Sequence, residues 1–300
     1  MGGAPRASRR SFLYGAGATA AAVAAGLPAW AAVRRPFAPL LGAWTSLDNC
    51  GLLASAGYGF VEEEVDRFLV PGRDEAAFER NLAAAARQPV PVLSCVRFLP
   101  PELQSIGPDA NHDGIAAFSE IVFRRARRAG VRYIVFGSPR SRKVPDGFSR
   151  EAAKAQLVAL GRILGPIAQA NDVIMVLEPL NQSETNFINR VSEGAEIVRA
   201  AGHPHFRLMA DLFHMKTEDE GPQSILANGD LLHHAQIAEK QGRRAPGVSN
   251  EDFIPYFKAL WDVGYAGPLS VECIWSDVQT EAPLASRTIS GQIARMVKAG

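Results

Sequence analysis

The sequence predicts an α/β fold, a (β/α)8 TIM barrel in which eight parallel strands alternate with helices. Three observations support this prediction: apolar runs alternate with amphipathic segments, the runs are apolar on both faces, and eight such units fit in about 260 residues. Strands that are apolar on both faces belong to a parallel sheet covered by helices. An open doubly wound sheet is the alternative, but no apolar run is followed by the GxGxxG motif of that fold.

The predicted strands are separated by segments with helical periodicity. Residues 74–88 carry apolar side chains at three- and four-residue spacing, and residues 116–130 end in a basic turn followed by Gly130, a helix stop. The longer connections, 97–116 and 138–149, are expected to lie over one mouth of the barrel. In chain order, strands are predicted near residues 39–44, 59–64, 90–96, 132–138, 172–179, 206–212, 232–238 and 268–275.

The amino-terminal segment differs in character from the rest of the chain. Two arginines in "SRRSFL" precede an alanine- and glycine-rich run that ends at Ala29-Trp30-Ala31, a small-x-small cleavage pattern. This pattern resembles a bacterial twin-arginine export signal, so residues 1–31 are predicted to be a signal peptide and residues 32–300 a single barrel domain in the periplasm. A transmembrane anchor is the weaker alternative because alanine and glycine are poor membrane formers, and no stable anchor is expected after cleavage.

The charge and the cysteines disfavour several classes of protein. The net charge is +1, so no strong field attracts nucleic acid, and no nucleic-acid partner is expected. The three cysteines cannot all pair within one chain, and none has the spacing of a zinc site. Cys95 and Cys273 lie inside apolar runs and are interpreted as buried small hydrophobic residues.

Polar side chains interrupt the ends of the last four predicted strands. Each is separated from the next by about one βα unit, so the four occupy equivalent positions on consecutive strands. Catalytic groups of such barrels lie at the carboxyl ends of the strands, so these side chains are expected to converge in one mouth. The four residues are Glu178, Asp211, Gln236 and Glu272.

The residue types in this set favour a metal site. A carboxylate inside an apolar run is costly unless it is paired or bound to a cation, and three converging carboxylates repel one another. Three carboxylates and an amide oxygen form an all-oxygen site that favours Mn²⁺ or Mg²⁺ over zinc. For any one of these residues alone, a local hydrogen bond or salt bridge is the simpler explanation; four at matched strand ends favour a divalent cation.

The motifs "VLEPLNQSET", "MADLFHM", "HAQIAE" and "LSVEC" resemble the sugar phosphate isomerase/epimerase superfamily, whose fold is a xylose isomerase-like barrel. That group includes ketose 3-epimerases, hydroxypyruvate isomerase and inosose dehydratase. The resemblance is strong over residues 172–275 and only general over the first four strands. It implies that Glu178, Asp211, Gln236 and Glu272 bind one divalent metal.

The seventh strand distinguishes branches of this superfamily. Ketose 3-epimerases have an H-x-H pattern there, in which the second histidine is the ligand, whereas this chain has His234-Ala235-Gln236. The hydroxypyruvate isomerase branch is similar to this chain, with glutamine in an H-x-Q-I-A pattern. His234 is expected to lie one layer deeper in the barrel, and His233 to point the opposite way, toward the helices.

The resemblance also implies residues that contact a substrate. These are His214, Glu184 and either Arg243 or Arg244, because the loop after the seventh strand is one residue longer than the family pattern and leaves the choice open. In the first half of the chain, the candidates to line the pocket are Trp44, Glu62 and Arg97, although a structural role is favoured for each.

The family chemistry is proton transfer next to a carbonyl through an enediolate, which implies Glu178 and Glu272 as a catalytic pair on opposite sides of the reacting carbon. Export favours a non-phosphorylated sugar or keto-sugar as substrate. A lyase or dehydratase acting on a 3-keto-glycoside or cyclitol is the main alternative, and a non-catalytic sugar-binding barrel is another. Endonuclease IV shares the barrel, but few histidines and the net charge of +1 disfavour it. Family members are often dimers or tetramers, although no homo-oligomer interface can be read from the sequence.

Overall fold

All eight predicted strands are present. The structure, a computed structural model, describes residues 37–299. The strands are β1 (Leu41–Trp44), β2 (Phe60–Glu64), β3 (Val92–Val96), β4 (Tyr133–Phe136), β5 (Ile174–Leu177), β6 (Phe206–Asp211), β7 (Leu232–Ile237) and β8 (Leu269–Val271). Each strand pairs in parallel with the next along the chain, and β8 pairs with β1 to close the barrel. The predicted fold class is therefore confirmed.

Helices connect the strands and pack against the sheet. They are α1 (Cys50–Ser55), α2 (Glu75–Ala85), α3 (His112–Ala129), α4 (Arg150–Ala170), α5 (Val191–Ala201), α6 (Leu212–Thr217), α7 (Gln223–Asn228), α8 (Ile254–Asp262) and α9 (Val278–Ala299). The sequence determines their ends locally. The Asp74 side chain accepts a hydrogen bond from the Ala77 N–H at the start of α2. Gly130 ends α3 in the left-handed conformation, with a φ of 75°, as its position predicts.

Alternate residues of each strand point into the barrel, and this alternation determines which side chains reach its mouth. Part of the interior is an apolar cluster that includes Val176 of β5 and Met209 of β6. Glu178 and Asp211 each come two residues later, and they share the inward face of their strands with these apolar residues. The alternation that packs the interior therefore also directs the acidic side chains into the mouth.

The predicted signal peptide, residues 1–31, lies outside the described residues. Between residues 37 and 299, no helix combines the length and the apolar character needed to cross a membrane.

Candidate active site

The four strand-end residues, Glu178, Asp211, Gln236 and Glu272, lie at the carboxyl end of the barrel. Glu178 directly follows β5, Asp211 ends β6, Gln236 is the penultimate residue of β7, and Glu272 directly follows β8. Asp211 and Gln236 are paired neighbours in the register of β6 and β7. The first three are buried, and the side chain of Glu272 is 13% exposed. The placement agrees with the sequence prediction.

His214, the third residue of α6, lies beside two of these carboxylates. Its Nε2 is 3.6 Å from Glu178 Oε1 and 3.4 Å from Asp211 Oδ2, and ligand atoms of the three residues lie within 4.8 Å of one another. The Asn181 backbone N–H donates to His214 Nδ1 at 3.1 Å, and the Asn181 side chain is 2.8 Å from the same atom. Because Nδ1 accepts, the ring proton of the neutral histidine is on Nε2. His214 therefore presents a donor, which suits a substrate oxygen better than a metal ion.

Arg243 is the cation that faces the strand-end carboxylates. Its Nη2 is 2.7 Å from Glu272 Oε2 and 3.5 Å from Asp211 Oδ2, while its Nη1 is 3.3 Å from Glu184 Oε1. The guanidinium thus joins two strand-end residues to Glu184, the glutamate of the "NQSET" segment. The surroundings of the strand-end carboxylates therefore hold three of the residues that the resemblance implied for substrate binding: His214, Glu184 and Arg243.

Local backbone geometry determines which of the two adjacent arginines enters the site. Gly242 and Arg243 both have positive φ angles, 70° and 50°, so the chain makes a left-handed turn there. Arg244 returns to extended geometry, forms a backbone bridge with Glu239, and pairs its side chain with Glu281 of α9. The structure therefore brings Arg243 into the site and Arg244 away from it.

The carboxyl groups of the site resist simultaneous ionisation. Burial raises the pKa of Glu178 well above its usual range, and the charges of Glu272 and Asp211 raise it further. Burial also raises the pKa of Asp211 to about 6 and that of Glu272 to about 8, although the Arg243 guanidinium acts in the opposite direction on both. A divalent cation at this position favours the ionised form of each carboxyl group that it touches. The acidic cluster is thus electrostatically suited to a cation.

A buried polar network holds the Gln236 amide. Gln236 Nε2 donates to Glu62 Oε1 at 2.8 Å. The second oxygen of Glu62 accepts from the Ser94 hydroxyl at 2.6 Å and lies 2.8 Å from His234 Nε2. Burial raises the pKa of Glu62, but the charge of His234 and the hydrogen bonds outweigh it, and the pKa falls below its usual value. His234 is completely buried, as predicted, and supports the site from within the barrel.

His233 faces the other way, as the strand alternation predicts. It is half-buried, and its Nδ1 lies 3.3 Å from Arg207 Nε. Glu62 has the structural role that the sequence favours for it, because it is completely buried in the polar network and does not line the cavity. Its place on the inward face of β2 is the reason: hydrogen bonds to β3 and β7 hold it inside the barrel.

Two residues that sequence reasoning missed support the Glu178 carboxylate. A Cβ atom at position 137 would lie 2.2 Å from Glu178 Oε2, so Gly137 leaves the space that the carboxylate occupies. Arg142 is completely buried and donates to the backbone carbonyls of Gly137 and Glu178. These contacts fix the ends of β4 and β5 relative to each other. Single glycines and arginines have no motif that would identify them from the sequence.

The oxygen atoms of the site fit a divalent cation. Within residues 37–299, Asp211 Oδ2 and Gln236 Oε1 are buried and have no hydrogen-bond partner. Buried polar atoms almost always have a hydrogen-bond partner, so those without one need an explanation such as an ion; Asp211 Oδ2 has only the longer contacts to Arg243 and His214. A cation held by the four strand-end residues satisfies both atoms and offsets the carboxylate charges. Oxygen ligands of this kind suit Mn²⁺ or Mg²⁺.

A cavity of 980 Å³ opens over the site. The predicted pocket residues Trp44 and Arg97 line it, and the Arg97 guanidinium lies 5.7 Å from the centre of the Trp44 ring. The polar part of the lining includes Glu178, Glu184, His214, Arg243 and Glu272. The cavity therefore gives a ligand direct access to the Glu178 and Glu272 carboxylates and to the donors beside them, whereas Asp211 and Gln236 do not line it.

The fold has counterparts among known proteins. Residues 50–295 match the family model described as xylose isomerase-like TIM barrel. The chain belongs to the xylose isomerase-like TIM barrel family. Within this fold, the chain is similar to the solved D-psicose 3-epimerase, with D-tagatose, from Clostridium cellulolyticum H10. That likeness has a TM-score of 0.68 at 21% identity and covers 86% of this chain and 96% of that one.

Curated relatives of this xylose isomerase-like barrel include epimerases and an isomerase. This chain is 33% identical over 150 residues to L-ribulose 3-epimerase of Methylomonas sp. (strain DH-1), and the matched region covers 50% of each chain. It is 30% identical over 107 residues to 3-dehydro-D-guloside 4-epimerase of Escherichia coli (strain K12), covering 35% of this chain and 40% of that one. It is 26% identical over 165 residues to hydroxypyruvate isomerase of the same organism, covering 53% of this chain and 60% of that one. The chain spans about half the length of the curated relatives it matches.

Proposed function

We propose that the chain is a divalent-metal-dependent sugar epimerase or isomerase that moves a proton next to a carbonyl group. The observation that carries the proposal is the proximity of three carboxyl groups: the charges of Asp211 and Glu272 act on Glu178, and Arg243 Nη2 contacts both Asp211 and Glu272. The amide oxygen of Gln236, the register partner of Asp211, is buried without a hydrogen bond. The names of the relatives, two epimerases and one isomerase acting on sugars or a related hydroxy-carbonyl compound, support the same class of reaction.

The contacts of each residue suggest its role. A Mn²⁺ or Mg²⁺ ion held by the strand-end residues supplies positive charge next to the substrate oxygens. Glu178 and Glu272 follow strands three apart around the barrel, so they flank a substrate from two sides; one removes the carbon-bound proton and the other returns a proton. The Nε2–H of His214 and the Arg243 guanidinium donate to substrate oxygens and stabilise the negative charge that develops on them.

The proposed substrate is a non-phosphorylated sugar, and the proposed place of action is the periplasm. Both rest on the twin-arginine pattern in residues 1–31, because a periplasmic enzyme meets few sugar phosphates. The pairing of Arg243 also supports an uncharged substrate, since this guanidinium already faces the carboxylates of Glu272, Asp211 and Glu184.

Proton exchange in deuterated water tests this function. The purified protein is incubated with Mn²⁺ and a panel of free ketoses, keto-glycosides and sugar phosphates, and products are followed by NMR. We expect deuterium to enter at the carbon next to the carbonyl of a non-phosphorylated sugar, together with an epimeric or isomeric product. Sugars that bind but retain all their protium would contradict the proposal and indicate a non-catalytic binding protein.

A second candidate function, a lyase acting on a keto-glycoside, is favoured by the size and lining of the cavity. Its volume of 980 Å³ is near the upper end of the range for drug-sized ligands, roughly 300–1,000 Å³. The loops after β2 and β3 and the first half of α3 contribute apolar lining residues, interspersed with the charged residues Asp66, Arg73, Arg97 and Glu102. The apolar lining residues include Val70, Pro71, Phe98, Leu99 and Phe118. A free hexose leaves these apolar residues uncovered, whereas the aglycone of a glycoside covers them.

The exchange experiment also distinguishes this second candidate. Removal of the proton between a keto group and the glycosidic carbon places negative charge where it expels the aglycone by β-elimination, with the C–O bond electrons leaving on the aglycone oxygen. Release of the aglycone from a keto-glycoside would identify a lyase. Deuterium uptake with an intact glycosidic bond would identify an epimerase or isomerase.

A further inference from the structure

The carboxylate of Glu62 determines which end of the Gln236 amide can face it. Glu62 is 0% exposed, and hydrogen-bond donors surround it: the Ser94 hydroxyl and His234 Nε2 at Oε2, and Gln236 Nε2 at Oε1. An ionised carboxylate only accepts hydrogen bonds, whereas a glutamine amide has one donating end and one accepting end. The nitrogen of Gln236 must therefore face Glu62.

The orientation of the amide leaves the Gln236 carbonyl oxygen facing away from Glu62. With its nitrogen on Glu62, Gln236 turns its Oε1 in the other direction, where this oxygen is buried without a hydrogen-bond partner in residues 37–299. Asp211, the register neighbour of Gln236 on β6, likewise has a buried oxygen, Oδ2, that accepts no hydrogen bond, although the Arg243 guanidinium lies 3.5 Å from it. These two acceptors thus belong to residues that are register partners on adjacent strands. Rotation of the amide by 180° would replace the Gln236 acceptor with two N–H donors.

We propose that Glu62 is a positioning residue that makes the Gln236 carbonyl oxygen a ligand of the divalent cation. The inference rests on the proposed function, since it assigns a role to Glu62 only if the strand-end residues bind a metal. Glu62 does not touch the cation or the substrate. It acts through the hydrogen bond to Gln236, and Ser94 and His234 hold it in place.

Substitution Glu62→Gln is expected to reverse the Gln236 amide. The Ser94 and His234 donors hold the carbonyl oxygen of the new side chain at the position of Oε2, so its NH₂ group faces Gln236. Gln236 then accepts with its own oxygen and turns its NH₂ group toward the site. Because substitutions of residues that orient metal ligands cost about 10–100-fold in metal affinity, we expect the Mn²⁺ dissociation constant to rise by that factor. Isothermal titration of the folded protein with Mn²⁺ measures this change without reference to activity.

The exchanged pair, Glu62→Gln with Gln236→Glu, tests the mechanism directly. It keeps the same hydrogen bond with donor and acceptor reversed and leaves a carboxylate oxygen facing the site. We expect Mn²⁺ affinity close to that of the unsubstituted protein. Gln236→Glu alone is expected to bind less tightly than the pair, because its carboxylate faces that of Glu62. The matched control is Glu63→Gln, which changes a buried glutamate on the opposite face of β2 that bonds to Arg67, and it should bind Mn²⁺ normally.

The outcomes separate this inference from the proposed function. Failure of the unsubstituted protein to bind Mn²⁺ overturns both. Normal Mn²⁺ binding by folded Glu62→Gln overturns the role of Glu62 alone, and so does a folded exchanged pair that fails to recover affinity. Equal affinities of Gln236→Glu and the exchanged pair would also overturn it, since the recovery would then reflect added charge. If Glu62→Gln does not fold, the exchanged pair still decides the question.

Discussion

Substitution of either Glu178 or Glu272 by glutamine is expected to lower turnover by about 10²–10⁴-fold, the range that general acid–base groups contribute. Glutamine keeps a carbonyl oxygen that can face the cation, but it cannot accept or deliver the substrate proton. Each variant should therefore retain part of its Mn²⁺ binding while losing product formation. Steady-state assays with the substrate identified by proton exchange, together with Mn²⁺ titration, measure the two effects separately.

The same two variants also test the assignment of one proton-transfer group to each side of the substrate. If Glu178 and Glu272 act from opposite sides, each variant should still exchange protons of one epimer with solvent but form almost none of the other. The matched control is Glu220→Gln, which changes a buried glutamate that accepts from the Val191 N–H and does not line the cavity. Nearly full turnover in both active-site variants would refute the assignment.

Substitution Gly137→Ala is the second change with a large expected effect. The new methyl group would lie 2.2 Å from Glu178 Oε2 and 3.3 Å from its Cδ, so the carboxylate must leave its position. Misplacement of a reacting group by about 1 Å costs roughly 10²-fold in rate, and we expect a loss of turnover of that size. The obstacle is the far end of a flexible side chain, so the melting temperature should change little. Calorimetry and steady-state kinetics on the same preparation measure both quantities.

A glycine in open space provides the control for this substitution. Apart from its chain neighbours and the backbone of its own helix, no described atom lies within 4 Å of a Cβ built at Gly51 in α1, so Gly51→Ala should leave turnover unchanged. Full activity of Gly137→Ala would show that the Glu178 carboxylate is not required at its observed position. A large fall in melting temperature would show instead that the glycine serves folding.

The sequence predicts the barrel because each of its strands carries a local signal, an apolar run such as "VIMVLEP" between helical segments. Convergence of Glu178, Asp211, Gln236 and Glu272 is also predictable, because the inward or outward direction of a strand residue depends on alternation alone. Both features can be predicted without knowing which distant segments of the chain contact one another.

Other features of the site depend on contacts between distant segments or on backbone geometry. The choice between Arg243 and Arg244 follows from a left-handed turn at positions 242 and 243, which neither arginine signals. The sequence favours a structural role for Glu62 but does not identify its partners, because these lie on β3 and β7, far away in the sequence. The need for glycine at position 137 follows from the place of the Glu178 carboxylate, which only the packed structure defines.

The central claim is that one divalent cation binds between the four strand-end residues. A crystal of the protein grown with Mn²⁺, with diffraction data collected at the manganese absorption edge, locates the ion by its anomalous signal. We expect one strong peak in bonding contact with oxygens of Glu178, Asp211, Glu272 and Oε1 of Gln236, and with His214 Nε2 outside bonding distance. Manganese bound by His214 in place of Gln236, or no peak at the strand ends, would contradict it.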